Sequence, residues 1–290
     1  MGYELITALI TPFNENGTIN YKKIKELIEF QYLNGTNGLL ILGTTSESST
    51  LSEEEKENII KYVIKENNNR MEIIAGVIEN STQNAIIKSL KYKSLGVNKL
   101  LVISPFYNKT NNEGMIQHFT KIAQAVDIPI ILYNVPSRTG VNIDLSVIRD
   151  LMKVENIIGI KEASKDINHI TQLAFMCNNK FSLYCGNDDL LLTFLWLNCK
   201  GIISVVSNIK PDIIYNTLKI YEINPLTAFS YYKYYYDFIC SLFIEVNPMP
   251  IKAIMNFCGI DLGVYRLPLT KISAENYLKI INIYTKTFKF

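Results

Sequence analysis

The chain has 290 residues, 48% hydrophobic and 19% charged, with 29 basic residues against 27 acidic ones and a formal net charge of +2. That balance supplies a large buried core and argues against disorder, while the interspersed charges leave no basic block able to follow a phosphate backbone, so nucleic acid is not an expected partner. No apolar run reaches membrane-spanning length, and Met1-Gly2-Tyr3-Glu4-Leu5 lacks the basic start of a signal peptide, so a cytoplasmic protein with no membrane partner is expected.

Short runs rich in Ile, Leu and Val alternate with longer stretches of helical spacing. The first run, Leu5 to Ile10, leads through an amphipathic stretch at Tyr21 to Leu33 into a second run, Gly38 to Leu42. Ser52 to Glu66 follows, opened by Ser52 and Glu55 at the spacing of a capping box, and then a run at Glu72 to Val77. Thr82 to Leu95 precedes Lys99 to Ile103, and Asn112 to Val126 precedes Pro129 to Tyr133. The last three runs are Ile157 to Lys161, Phe181 to Cys185 and Gly201 to Val205, with a helical stretch at Ile167 to Cys177. Gly35 and Gly96 stand where helices should end.

Eight nearly continuous apolar strands alternating with helices predict a parallel sheet covered on both faces and closed into a (β/α)8 TIM barrel. An open doubly wound sheet is the runner-up, but no G-x-G-x-x-G follows the first strand. After Pro225 the pattern turns helical, with segments at Leu226 to Val246, Pro250 to Cys258 and Ser273 to Thr287. The expected division is a catalytic barrel over residues 1–225 and a C-terminal helical region over residues 226–290. The tyrosines Tyr231, Tyr232, Tyr234, Tyr235 and Tyr236 lack flanking basic residues on one face and are read as packing or subunit-contact residues.

Five cysteines, Cys177, Cys185, Cys199, Cys240 and Cys258, are odd in number and widely spaced, which suits reduced core thiols better than a disulfide framework or a zinc site. His118 and His169 each stand alone on a helical stretch and are expected at the surface rather than as ligands. Neither a metal nor a cofactor is expected.

Lys161 closes the apolar run Ile157-Ile158-Gly159-Ile160 and precedes Glu162-Ala163-Ser164. An amine at the mouth of a buried strand is a candidate nucleophile toward a carbonyl, because desolvation disfavours the ammonium form. A lysine that merely closes a strand toward solvent is the plainer reading, and its company decides against it. In a barrel the site forms where strands end. Gly43-Thr44-Thr45-Ser46-Glu47 follows the second strand, Ser104-Pro105-Phe106-Tyr107 the fourth, and Tyr133 to Gly140 spans the loop after the fifth. Gly186 and Ser204-Val205 follow the last two.

These strings, with Ala8 to Phe13, the N-P-x-P-x-K motif from Asn247 to Lys252 and Arg266 to Leu269, occur in an order that resembles the dihydrodipicolinate synthase family. That family sits among the pyruvate-dependent class I aldolases, together with the N-acetylneuraminate lyases, and the likeness spans Thr7 to Leu269. The resemblance implies that Lys161 forms an imine with pyruvate, that Tyr133 is its acid/base, and that a hydroxyl relay runs through Thr44 to Tyr107 of a neighbouring subunit. It also implies that Thr45 holds the pyruvate carboxylate, that Gly186 and Ile203 line the imine pocket, and that Arg138 pairs with the carboxylate of L-aspartate 4-semialdehyde. The implied assembly is a homo-oligomer, a tetramer built as a dimer of dimers. Another pyruvate-dependent lyase acting on a sugar acid, or a catalytically silent scaffold, are the alternatives; the Y-N-V-P-x-R-T-G string and the complete set of Lys161, Tyr133, Thr44 and Tyr107 favour the synthase.

Two positions depart from the family pattern. Ser46 stands where glycine is usual, and a positive φ there would cost about 1 kcal/mol or more and weaken pyruvate binding. At the positions where relatives bind lysine as an inhibitor, Lys56 adds like charge and Asn84 removes a carboxylate, so insensitivity to lysine is expected.

Overall fold

A computed structural model describes residues 2–288. Eight strands form: β1 (Glu4–Ala8), β2 (Gly38–Ile41), β3 (Glu72–Val77), β4 (Lys99–Ile103), β5 (Ile130–Asn134), β6 (Ile157–Glu162), β7 (Ser182–Cys185) and β8 (Gly201–Ser204). They pair in chain order and close into a parallel barrel, the TIM architecture expected from the alternation of runs.

Helices α1 (Tyr21–Leu33), α2 (Glu53–Asn67), α3 (Thr82–Ser94), α4 (Asn112–Ala125), α5 (Pro136–Thr139) and α6 (Leu145–Leu151) occupy the first part of the chain. Helices α7 (Ile167–Met176), α8 (Leu191–Trp196) and α9 (Pro211–Ile223) follow, and α10 (Pro225–Ser241), α11 (Met249–Phe257) and α12 (Ala274–Phe288) complete it. The Ser52 capping box forms as expected, with Glu55 N donating to Ser52 Oγ and Ser52 N to Glu55 Oε2. Gly35 and Gly96 follow the ends of α1 and α3 with φ of +79° and +98°, a conformation that costs glycine little.

The chain forms two compact units, one from the residues up to Met71 with those from Ser204 onward, the other from Glu72–Ile203. In the first, β1 and β2 pair with Thr7 opposite Leu39. Asn208 Nδ2 donates to Ala8 O at 2.8 Å, and Ile10 N donates back to Asn208 Oδ1 at 3.0 Å. Beyond Ala8, Leu9 N still donates to Leu40 O at 2.9 Å while Ile10 N is met by a side chain instead of a strand, and β1 stops two residues short of Ile10. Near the C-terminus Tyr235 stacks on Phe288 and Tyr232 is buried, so these two pack the helical region, while Tyr234 and Tyr236 are exposed.

In the second unit, β3 to β8 carry a nearly uninterrupted apolar interior, with Ile131, Leu132 and Ile160 fully buried. The β5–β6 register is irregular at its start, Ile130 facing Ile157 and Ile131 facing Gly159; beyond it Tyr133 pairs with Lys161 and Asn134 with Glu162.

The histidines depart from expectation. His118 and His169 are both buried, at 3% and 8% exposure. His118 shares one face of α4 with Met115, Phe119 and Ile122, at the i, i+3, i+4, i+7 spacing of an inward stripe, and His169 lies inward with Ile170 and Leu173 on α7. Each helix buries its histidine because the stripe does, whatever the residue's polarity. Cys177, Cys185, Cys199 and Cys258 keep their thiols; Cys185 and Cys199 are buried, and desolvation pushes the thiols of Cys177 and Cys199 up to about 12.

Candidate active site

Within Glu72–Ile203, β5 and β6 end side by side, and their register sets Tyr133 against Lys161. Both are nearly closed to solvent, at 6% and 5% exposure, and Lys161 Nζ lies 4.7 Å from the centroid of the Tyr133 ring. A lysine head group at this distance from an aromatic face is held sterically and, in its ammonium form, electrostatically as well. A carbonyl compound entering there meets a nucleophile and a phenol that can both donate and accept a proton.

One residue further along, the side chains form a buried polar network. Asn134 Nδ2 donates to Glu162 Oε2 at 2.7 Å and to Asn142 Oδ1 at 2.7 Å, while Asn134 Oδ1 accepts from Ile143 N. Ser164 N donates to Glu162 Oε1 at 2.6 Å, and His169 Nε2 stands 3.4 Å from Glu162 Oε2. The fully buried Glu162 carboxylate thus ties the end of β5 to the turn after β6, directly beside the Tyr133 and Lys161 pair. The I-K-E-A-S and Y-N-V-P strings contained these residues, but their spacing gave no sign that they meet.

Gly186 follows β7, and its N–H donates to Glu162 O at 2.8 Å. A Cβ at Gly186 would stand 2.7 Å from that same carbonyl and 2.8 Å from Ala163 Cβ, so only glycine permits this approach. Ile203 is fully buried on β8. Arg138 is exposed in the last turn of α5, the short helix opened by Pro136 and closed by Gly140 at φ +67°. Tyr107 is 90% exposed and holds a left-handed backbone at φ +62°, next to Phe106, whose N–H is fixed by Asn80 Oδ1 at 2.7 Å. Of the expected catalytic side chains in this unit, Lys161 and Tyr133 come together and Tyr107 points to solvent.

The loop after β2 belongs to the other unit. Thr44 is half-buried and Thr45 buried, with Thr45 Oγ1 accepting from Asn247 Nδ2 at 2.9 Å. Ser46 does not adopt a positive φ; Leu42 and Glu47 do, each at +55°. The strain expected for serine is therefore absent, and its buried hydroxyl instead donates to Leu9 O at 2.7 Å. Glu47 Oε1 accepts from Lys252 Nζ at 2.7 Å, with both side chains wholly enclosed. Lys56, at the position expected to disfavour a bound lysine, pairs with Glu53 at 2.8 Å. Among the described residues no cluster of three or more His, Cys, Asp or Glu is arranged to hold a metal ion, and no helix is long and apolar enough to cross a membrane.

The sequence profile of the Dihydrodipicolinate synthetase family matches residues 2–287. A 4-hydroxy-tetrahydrodipicolinate synthase of Brachyspira hyodysenteriae is 43% identical over 283 residues, covering 96% of this chain and 95% of that one. The structure of the 4-hydroxy-tetrahydrodipicolinate synthase from Methylacidiphilum fumariolicum superposes with a TM-score of 0.96 at 35% identity, over 99% of this chain and 96% of its own. A chloride-inhibited dihydrodipicolinate synthase from Acinetobacter baumannii, complexed with pyruvate, superposes at 0.95 with 34% identity over 100% of both chains. On the profile, the identity and the shared barrel together, the chain belongs to the dihydrodipicolinate synthetase family.

Proposed function

We propose that the chain is a lyase of the Schiff-base aldolase type that condenses pyruvate with L-aspartate 4-semialdehyde to 4-hydroxy-tetrahydrodipicolinate, a step of diaminopimelate and lysine biosynthesis. The observation that carries this reading is the buried Lys161 amine set over the Tyr133 ring at the ends of paired strands. The named activity of the relatives and the pyruvate bound by the Acinetobacter enzyme support it.

In this reading the neutral Lys161 amine attacks the pyruvate ketone carbon. The resulting carbinolamine loses its oxygen as water, with Tyr133 delivering and recovering protons, and leaves an imine. Loss of a methyl proton gives the enamine, whose carbon bonds to the semialdehyde carbon and turns the aldehyde oxygen into a hydroxyl. The semialdehyde's own amine then attacks the imine carbon, and Lys161 departs as the free amine while the ring closes. Thr44 and Tyr107 extend the proton path, Thr45 holds the pyruvate carboxylate, Gly186 and Ile203 shape the imine pocket, and Arg138 receives the semialdehyde carboxylate through its bidentate fork.

The exposure of Tyr107 supports a homo-oligomer, a tetramer as a dimer of dimers, in which this tyrosine serves a neighbouring subunit. The buried thiols of Cys185 and Cys199 support a reducing, cytoplasmic setting. In this reading residues 1–225 carry the chemistry, and residues 226–290, the last two of which lie outside the described residues, form a supporting helical region.

The test is pyruvate consumption with L-aspartate 4-semialdehyde, N-acetylmannosamine and glyceraldehyde offered separately, with Lys161→Ala as control. Turnover confined to the semialdehyde and lost in the control is the expected result. Preference for a sugar aldehyde would move the assignment to a sugar-acid lyase, and silence with all three would favour a scaffold.

A further inference from the structure

We propose that Lys252 and Asn247, more than 200 residues downstream of the loop after β2, are positioning residues that fix Thr44 and Thr45 for binding the pyruvate carboxylate. The inference rests on the proposed function and concerns groups to which the reaction scheme gives no role.

Glu47 ends this loop in a left-handed backbone, φ +55°, which costs a residue with a Cβ about 1–2 kcal/mol and so has to be held in place. Its carboxylate is fully enclosed; Oε1 accepts from Lys252 Nζ at 2.7 Å, and Oε2 has no hydrogen-bond partner among the described residues. The anchoring of a buried anion thus falls on one ammonium. Lys252 is equally enclosed: Nζ also donates to Val264 O at 2.9 Å and lies 4.7 Å and 4.9 Å from the ring centroids of Phe13 and Tyr265. Burial lowers its pKa, and the Glu47 charge opposes that shift. Such a pair is weak evidence for stability, but the enclosed Glu47 carboxylate has this ammonium as its one hydrogen-bonded side-chain partner among the described residues, which holds the end of the loop in place.

Asn247 acts two residues closer to the chemistry, at Thr45. Its Nδ2 donates to Thr45 Oγ1 at 2.9 Å. A hydroxyl has one proton to give. By accepting from Asn247, Thr45 keeps that proton for another acceptor, and a carboxylate is the acceptor the proposed reaction brings. Backbone bonds complete the turn, Ser46 N to Gly43 O at 3.2 Å and Glu47 N to Thr44 O at 3.1 Å, so displacement of Glu47 would carry Thr44 and Thr45 with it.

The experiment is borohydride trapping of pyruvate on Lys161, followed by mass spectrometry across a range of pyruvate concentrations without any aldehyde. Asn247→Ala should raise the half-saturating pyruvate concentration about tenfold, the effect of one lost hydrogen bond to a charged ligand's partner. Lys252→Met strands the Glu47 carboxylate and should lower the melting temperature. The double variant Glu47→Gln/Lys252→Met removes both charges and should recover most of that stability. Its half-saturating concentration should nevertheless stay raised about tenfold, because the tie to the loop is gone.

Wild-type half-saturation in the folded double variant would overturn the role of Lys252, and the same result in Asn247→Ala would overturn that of Asn247. A wild-type protein that traps no pyruvate would overturn this inference together with the proposed function. One that traps pyruvate but ignores the semialdehyde would sink only the proposed aldehyde, since the trapping assay omits it.

Discussion

Lys161 and Tyr133 are register partners across β5 and β6, and the lysine Nζ lies 4.7 Å from the centroid of the tyrosine ring. Ring and hydroxyl can therefore be separated experimentally. Tyr133→Phe keeps the aromatic face over the amine and removes only the phenol, so the fold should persist. Imine formation with pyruvate should slow by about 10²–10⁴-fold, the range for a positioned acid/base, whereas Lys161→Ala should form no adduct at all. Rapid-quench borohydride trapping measures both. Wild-type trapping rates in Tyr133→Phe would remove the phenol from the proton path.

Glu162 makes a different prediction because its partners cannot rearrange. In Glu162→Gln one carboxylate oxygen becomes an NH2, and Ser164 N still requires the other as acceptor. The new amide would then face Asn134 Nδ2, donor against donor. Asn134 cannot turn over, since its Nδ2 also serves Asn142 Oδ1 and its Oδ1 serves Ile143 N. Two buried donors left in conflict should cost about 2–3 kcal/mol, read as a shift in the urea midpoint. The rate of trapping at Lys161 should fall with it, because the end of β5 loses its tie to the turn after β6. An unchanged midpoint would mean that the network contributes nothing to holding these strands.

How much of this was legible in the sequence depends on whether a feature is local. β3 and β4 fall where their apolar runs place them, and α1 spans its predicted residues, because strand pairing and an amphipathic stripe leave a periodic trace. The helix expected from Leu226 to Val246 ends at Ser241 instead; the chain tightens, with Phe243 N reaching Cys240 O and Ile244 N reaching Ser241 O. Hydrophobicity does not report that change, nor the need to bring Asn247 to Thr45. Helices α5, α6 and α8 are too short to show a period. Lys161 stood out at its strand end and Tyr133 through the family resemblance, but the Glu47 and Lys252 pair joins residues 205 apart, which no local pattern encodes. The burial of His118 was readable after all, in the spacing of its neighbours Met115, Phe119 and Ile122.

Ser46 reverses an expectation. With φ outside the positive region and Oγ donating to Leu9 O, serine stabilises this loop rather than straining it. Ser46→Gly should therefore destabilise the protein by about 1–2 kcal/mol, through one lost buried hydrogen bond and greater freedom of the unfolded chain. It should not lower the KM for pyruvate. Chemical denaturation and steady-state kinetics on the same preparation test both halves, and a more stable glycine variant would show that the hydroxyl contributes nothing.

His118 should make stability depend on pH in a defined window. Desolvation lowers its pKa from 6.5 to about 4, so the folded protein keeps the imidazole neutral where the unfolded chain already binds a proton. Between those values the unfolded state holds more protons, and stability therefore falls as pH drops from 6.5 toward 4, levelling below the folded value. The span of about 2.5 units corresponds to about 3 kcal/mol at about 1.4 kcal/mol per unit. Thr82 Oγ1 lies 2.9 Å from Nδ1, and Nε2 has no partner among the described residues, so in the imidazolium one N–H has no acceptor among them. His118→Asn places an amide near the Nδ1 position but cannot titrate. Its absolute stability will differ, yet unfolding free energies from urea titrations followed from pH 7 to pH 4 should fall by about 3 kcal/mol less than in the wild type, with every other titrating group common to both proteins. Parallel pH profiles for the two proteins would show that the buried imidazole is not the titrating group.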